Sequence, residues 1–276
     1  MNYYQFMLES FQMLIELMAY LLVGSLAGIL AGMFGVGGGI IIVPVLVFVF
    51  TFLGFDGSYL VHLAIGTSLA TIFFTGISSA RSHYLKESIN KKVLIPVATG
   101  ISFGAIFGAL IANELNGEML RRIIGVFAFL IAVQMLFNNS VNLKAKTSRI
   151  VSLIAGIGIG GASSVLGIGG GSFTVPFFKY NGLNMKTSVG TAAACGIPIA
   201  FFGSLSFVVL GLNQENLPSL TMGYIYIPAM IAISLASVFT ASIGAGMAHA
   251  ISDKILTILF SALMILISTY MLIGTT

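Results

Sequence analysis

Two stretches decide how this chain is read: Gly35-Val-Gly-Gly-Gly39 followed by Pro44, and Gly167-Ile-Gly-Gly-Gly171 followed by Pro176. Glycine cluster and proline recur together at an offset of 132 residues. Downstream, Ala64-Ile-Gly-Thr-Ser68 matches Ser188-Val-Gly-Thr-Ala192, and Ile95-Pro96 matches Ile227-Pro228. Four landmarks in one order mark an internal duplication. The halves run over about residues 11–140 and 148–275, joined by a polar linker from Asn138 to Arg149. The expected units are therefore a first transmembrane repeat over 1–140 and a second over 141–276.

Composition says what the repeats are made of. Hydrophobic residues are 58 % of the 276, charged residues only 7 %, and mean hydropathy is +1.07. A soluble domain carries about 25 % charged residues, so this chain cannot cover its surface with polar groups and must face lipid. Each half contains five apolar stretches, near 11–35, 39–53, 62–80, 92–113 and 119–138, then 150–167, 171–181, 187–210, 223–248 and 254–274. A spanning helix needs about 20 apolar residues. The second stretch of each half falls short of that, follows the glycine cluster, and reads as a half-helix. The fold class expected is an all-α membrane protein with broken or re-entrant half-helices.

Charge orients it. If each glycine-interrupted pair enters and returns, loops 81–92, 138–149, 179–186 and 249–254 share one side and hold ten of the twelve basic residues. Arg121 and Arg122 are on the other side with Glu9, Asp56, Glu114, Glu118 and Glu215. The positive-inside rule then puts both termini outside the cytoplasm. An odd number of passes separates equivalent points, which makes the repeats inverted; a parallel arrangement would need one pass more or fewer per half. The net charge of +4 and pI near 9.2 belong to this asymmetry. No basic stripe tracks a phosphate backbone, so nucleic acid is not an expected partner. Lipid is. The N-terminus lacks a basic region with a small-residue cleavage site and is read as uncleaved. One cysteine, Cys195, excludes an internal disulfide or a cysteine metal cluster.

Consecutive glycines inside a span cost helix stability, about 1 kcal/mol each. Non-helical backbone in a membrane protein is tolerated where it is buried or lines a cavity. In transporters with inverted repeats such breaks lie at the repeat interface, and the half-helix N-termini hold anions. Half-helices starting near Ile40 and Ser172 would offer this from both halves. Glycines spaced by four (Gly24, Gly28 and Gly32; Gly104 and Gly108; Gly156 and Gly160) read instead as close helix packing. No Gly-Lys-Ser/Thr follows the clusters, so a nucleotide-phosphate loop is a poor reading.

The pattern Gly-Met-Phe-Gly-Val-Gly-Gly-Gly over 32–39, then Pro44, then Ile-Gly-Thr-Ser over 65–68, repeated more weakly downstream, resembles the sulfite exporter TauE/SafE family, also called the toluene sulfonate uptake permease family. The resemblance covers nearly the whole chain. It implies a secondary transporter of sulfite, sulfonate or another small sulfur-containing anion in a bacterial-type inner membrane.

The expected binding residues are Gly37, Gly38, Gly39, Gly169, Gly170 and Gly171, with Ser172 at the second half-helix. Hydroxyls bind an oxyanion without the desolvation cost of a buried ion. Thr67 and Thr191 occupy equivalent places, Thr71 and Ser78 continue the first face, and Cys195 lies four residues beyond Thr191. The competing reading is that these Ser and Thr bond their own backbone or join helices, that Ser172 and Thr174 only cap, and that Cys195 is an inert buried thiol. His62, His83 and His249 form no metal spacing, and no catalytic residue, metal or cofactor is expected. Glu16 is the deepest acid, so the coupling ion, proton or sodium, stays open; His62 is an alternative proton carrier. An anion channel on the same scaffold, or a non-transporting assembly factor, is the alternative function. Oligomeric state is not legible.

Overall fold

The computed structural model describes residues 3–34, 39–137, 148–250 and 253–274. Ten helices follow one another in them: α1 (Tyr3–Phe34), α2 (Gly39–Phe52), α3 (Gly57–Leu85), α4 (Lys91–Glu114), α5 (Gly117–Leu136), α6 (Arg149–Leu166), α7 (Gly171–Tyr180), α8 (Met185–Gly211), α9 (Ile227–Ala250) and α10 (Asp253–Ile273). One small antiparallel hairpin, β1 (Thr221–Met222) with β2 (Ile225–Tyr226), precedes α9. Five helices, α3, α4, α5, α6 and α8, are long and apolar enough to cross a membrane. Phe103, Phe107, Leu205, Val209 and Phe239 are exposed on the outside of the bundle, as lipid-facing side chains are. The all-helical membrane fold is thus as expected. The half-helices are also short: α2 has 14 residues and α7 has 10, about 21 and 15 Å at 1.5 Å per residue, against roughly 30 Å of hydrocarbon. Gly37, Gly38 and linker residues 138–147 lie outside the described residues.

Short polar side chains start the helices. Asp56, Asn90, Asn116, Ser148 and Asn184 precede α3, α4, α5, α6 and α8, and each side-chain oxygen accepts a first-turn N–H. At Asp56, which is exposed, the Ser58 N–H holds the carboxyl below its ordinary value.

Packing crosses from one half of the chain to the other. α1 lies along α9 and α4 along α6, while α3 packs on α8 and α5 on α10. Glycines make the two long contacts possible. A Cβ on Gly100, Gly104 or Gly108 would collide with the carbonyls of Leu153, Ile157 or Gly161, and one on Gly156 or Gly160 with those of Val97 or Ile101. Gly24 and Gly28 press in the same way on Ile233 and Ser237 of α9. The four-residue spacing is a packing face, as the sequence indicated.

The Ile-Gly-Thr-Ser and Val-Gly-Thr-Ala stretches also cross between halves. Gly66 of α3 lets the Tyr224 carbonyl approach, and Thr67 Oγ1 accepts the Tyr226 N–H at 2.9 Å, just before α9. Gly190 of α8 admits the Ser88 carbonyl, and Thr191 Oγ1 accepts the Asn90 N–H at 3.0 Å, just before α4. Each Gly-Thr pair therefore clasps the lead-in to the fourth helix of the other half.

These contacts set what thermal melting in detergent should show. Gly104→Ala puts a methyl into the Ile157 carbonyl and should destabilise by about 3 kcal/mol or more. Gly158→Ala, where a Cβ meets nothing within 4 Å, should be neutral or stabilise by up to about 1 kcal/mol. Thr67→Val leaves the Tyr226 amide buried without its acceptor and should cost about 1–3 kcal/mol. Thr67→Ser should recover most of it, and amide exchange at Tyr226 should accelerate only in the Val variant.

Candidate functional site

The second glycine cluster breaks the chain inside the protein. α6 ends at Leu166 with Gly167 in the left-handed region at φ 68°. The Ile168 N–H returns to Ser163 O and the Gly167 N–H to Ser164 O, the paired closure that ends many helices at glycine. Gly170, at φ 73°, then begins α7 without any side-chain cap. All residues from Leu166 to Gly171 are buried.

Buried backbone amides are nearly always paired. Here the N–H groups of Gly169, Gly170, Gly171 and Ser172 have no acceptor among the described residues. The contrast with the five capped helices is chemical: Asp, Asn or Ser stands where α7 has a glycine with nothing to offer. The carbonyl at this corner is by comparison crowded. Gly170 O accepts from Phe173 N, Thr174 N and Thr174 Oγ1.

Two more donors stand in the last turn of α6. Ser163 and Ser164 are fully buried and their hydroxyls have no partner. Thr51, Ser102, Ser206, Thr240 and Thr269 instead bond the carbonyl one turn back, whereas Ser234 on α9 and Ser261 on α10 are also buried without a partner, away from the glycine cluster in sequence. Ser163 Oγ is 3.2 Å from the point a Cβ on Gly170 would occupy, and Ser164 Oγ 3.2 Å from that of Gly203 on α8. Bare amides, the positive end of α7 and the Ser163 hydroxyl thus gather hydrogen-bond donors at one corner with no charged side chain.

The start of α2 meets this corner. A Cβ on Gly39, the first residue of α2, would lie 2.8 Å from Gly167 O and 2.9 Å from Ile168 Cα. Ser68 donates to Gly167 O at 2.8 Å and so ties α3 to the corner. Cys195 is fully buried on α8, and a Cβ on its neighbour Gly196 would stand 3.2 Å from Gly169 O. The other sequence candidates are arranged differently. Thr67 and Thr191 are committed to the clasps, and Thr71 donates to Ser68 O at 2.6 Å within its own helix. Ser172 is half-buried at the start of α7, whereas Ser78 is exposed, so the buried polar face of α3 ends before it. Gly37 and Gly38 fall outside the described residues. Ser163 and Ser164 were not anticipated; their only signal is a serine pair in the last turn before the glycine cluster. Among the described residues no three His, Cys, Asp or Glu side chains gather as metal ligands. A surface pocket lined by Glu87, Asn90, Lys91, Lys92 and Thr187 opens beside the Thr191 clasp.

Comparison with known proteins agrees with this architecture. The pattern of the family described as sulfite exporter TauE/SafE matches residues 20–271. A probable membrane transporter protein of Haemophilus influenzae is 40 % identical over 228 residues, covering 82 % of this chain and 86 % of its own. One of Methanocaldococcus jannaschii is 28 % identical over 267 residues, covering 95 % of this chain and 98 % of its own. One of Bacillus subtilis is 29 % identical over 202 residues, covering 70 % and 80 %. No solved structure matches the chain. With a family pattern spanning nearly its whole length and full-length relatives of the same kind, the chain belongs to the sulfite exporter TauE/SafE family of membrane transporters.

Proposed function

We propose that the protein is a secondary transporter that carries a small sulfur oxyanion, sulfite or a sulfonate, across the cytoplasmic membrane by alternating access. One observation carries the reading: the amides of buried Gly169, Gly170 and Gly171 and of half-buried Ser172 have no acceptors among the described residues, with the unpartnered hydroxyl of Ser163 beside Gly170 and that of Ser164 in the same helix turn. A sulfur oxyanion presents three oxygens that only accept hydrogen bonds, and this corner only donates them. The family's description supplies the sulfite; the relatives are described no further than probable membrane transporters.

In this reading residues 1–140 and 141–276 are inverted repeats, and the start of α2, with Gly37–Gly39, addresses the same anion as α7. The reciprocal packing of α1 on α9 and α4 on α6, with its two clasps, suits halves that rock against each other. The basic loops face the cytoplasm, both termini lie outside it, and the pocket with Lys91 and Lys92 draws the anion in from the cytoplasmic side. A proton or sodium ion supplies the driving force. Nothing in the corner suggests a nucleophile with its base, so the protein is not read as an enzyme.

Purified protein in liposomes tests this with labelled sulfite. The wild type should accumulate it against a gradient when a counter-ion gradient is imposed; absence of flux with sulfite, sulfonate and thiosulfate alike would end the substrate reading, and large single-channel currents would make it a channel. Ser163→Ala and Ser164→Ala should each weaken apparent sulfite affinity by roughly tenfold, the worth of one hydrogen bond to a charged group. Each should also melt at the same or a higher temperature, since a buried group without a partner is removed. Unchanged affinity in both would take the anion away from this corner.

A further inference from the structure

His62, on the first turns of α3, is 4 % exposed. Its Nε2 lies 3.0 Å from Ala112 O and 3.1 Å from Leu115 O at the end of α4. Carbonyl oxygens only accept, so Nε2 carries the hydrogen and Nδ1 is the bare nitrogen. Nδ1 is buried and has no partner.

The β1–β2 hairpin covers this ring. Tyr224, at its tip, stacks on His62 at 5.3 Å between centroids and 27° between planes. The Tyr224 N–H donates to Phe207 O of α8 at 3.1 Å. On the other side its carbonyl fills the notch at Gly66, one turn along α3 from His62. A Cβ on Gly66, Gly211 or Gly223 would collide with the backbone it faces, so the hairpin tip is wedged between α3 and α8. Tyr226, held by Thr67, continues the seal with edge-on contacts to Tyr20, Phe50 and Phe55. At the equivalent clasp on Thr191 there is instead the open pocket of Asn90, Lys91 and Lys92.

Among the described residues the imidazole's recorded contacts are the two carbonyls and the Tyr224 ring; Glu16 on α1 meets the hairpin at Tyr226, whose hydroxyl donates to it at 3.4 Å. Asp56 at the head of α3, Glu114 on α4, Glu118 on α5 and Glu215 after α8 are exposed, and Arg121 on α5 is turned to Gly274. Tyr224 is the titratable group that touches it from the hairpin, and α8 contributes Phe207, in edge-on contact with Tyr224.

We propose that His62 is the proton-binding group of this transporter and that the 221–226 hairpin is a plug whose seating excludes the proton. A hydronium ion gives its proton to the Nδ1 lone pair and leaves as water; on the return step the imidazolium gives the proton back to water. With both nitrogens protonated, Nδ1–H would point into a site with no acceptor, so the seated plug accepts the neutral ring only. Protonation and withdrawal of the hairpin are therefore linked, at the end of the molecule opposite the basic loops. Use of that proton to drive an anion rests on the transporter reading; the linkage between proton and plug does not.

The linkage is tested without substrate. In protein lacking the native thiol (Cys195→Ser), single cysteines are placed at Phe207, buried on α8 against the plug, and at Ile225, buried within the plug itself, and labelled with an impermeant methanethiosulfonate. Normalised to an exposed cysteine at Leu212, labelling should rise as pH falls from about 8 to about 6, by up to roughly tenfold per pH unit, the slope of one linked proton. His62→Gln keeps a donor for the two carbonyls but cannot be protonated, and should abolish that rise. Labelling that is independent of pH at both positions, or that still rises in His62→Gln, overturns the proposal. In liposomes, His62→Gln should retain sulfite exchange and lose accumulation driven by a pH gradient; equal loss of both would reduce His62 to a structural role. If the wild type moves no sulfite, the substrate reading fails while the labelling still decides the plug.

Discussion

The fate of the backbone N–H governs this structure. In a bundle surrounded by lipid, an amide without an acceptor has no water to turn to, and the chain answers that demand at several helix starts. Five helices begin on an Asp, Asn or Ser whose side chain takes a first-turn amide. Two lead-ins, at Tyr226 and Asn90, give theirs to a threonine in the other half. The corner from Gly169 to Ser172 stands apart because the same demand goes unmet among the described residues. Under the proposed function, an anionic guest would supply the missing acceptor there.

Glycine serves two purposes here, and spacing separates them. Where glycines recur every fourth residue, as on α4 and α6, they strip side chains from a helix face so that carbonyls of one helix rest on the backbone of the next. Where they are consecutive, they release the backbone from the helix: Gly167 and Gly170 both take φ angles that other residues rarely adopt. The proline in each half-helix fits the second role, since Pro44 and Pro176 each stand five residues past the first helical glycine.

Much of this was legible beforehand because it is local. The short second and seventh helices, the junction before the seventh and the packing role of the spaced glycines follow from periodicity, length and composition within single windows. The fate of the hydroxyls was not. Thr67 and Thr191 look like a matched pair of lining residues in one dimension, yet their partners lie 159 and 101 residues away in sequence. Ser68 likewise reaches Gly167 across 99 residues. The free hydroxyls of Ser163 and Ser164 were equally hidden: a serine in a membrane helix ordinarily bonds the carbonyl one turn back, and only the folded neighbourhood reveals that these two do not.

The exchange of helices between halves also bears on how the molecule is made. α1 leaves the ribosome well before its partner: the surface that its Gly24 and Gly28 are shaped for belongs to α9, some 200 residues later, or about 10–40 s at ordinary rates of synthesis. Throughout that interval its notched, glycine-lined face lacks the helix it fits. α4 waits a much shorter time for α6, so the α4–α6 contact can close long before the α1–α9 contact does.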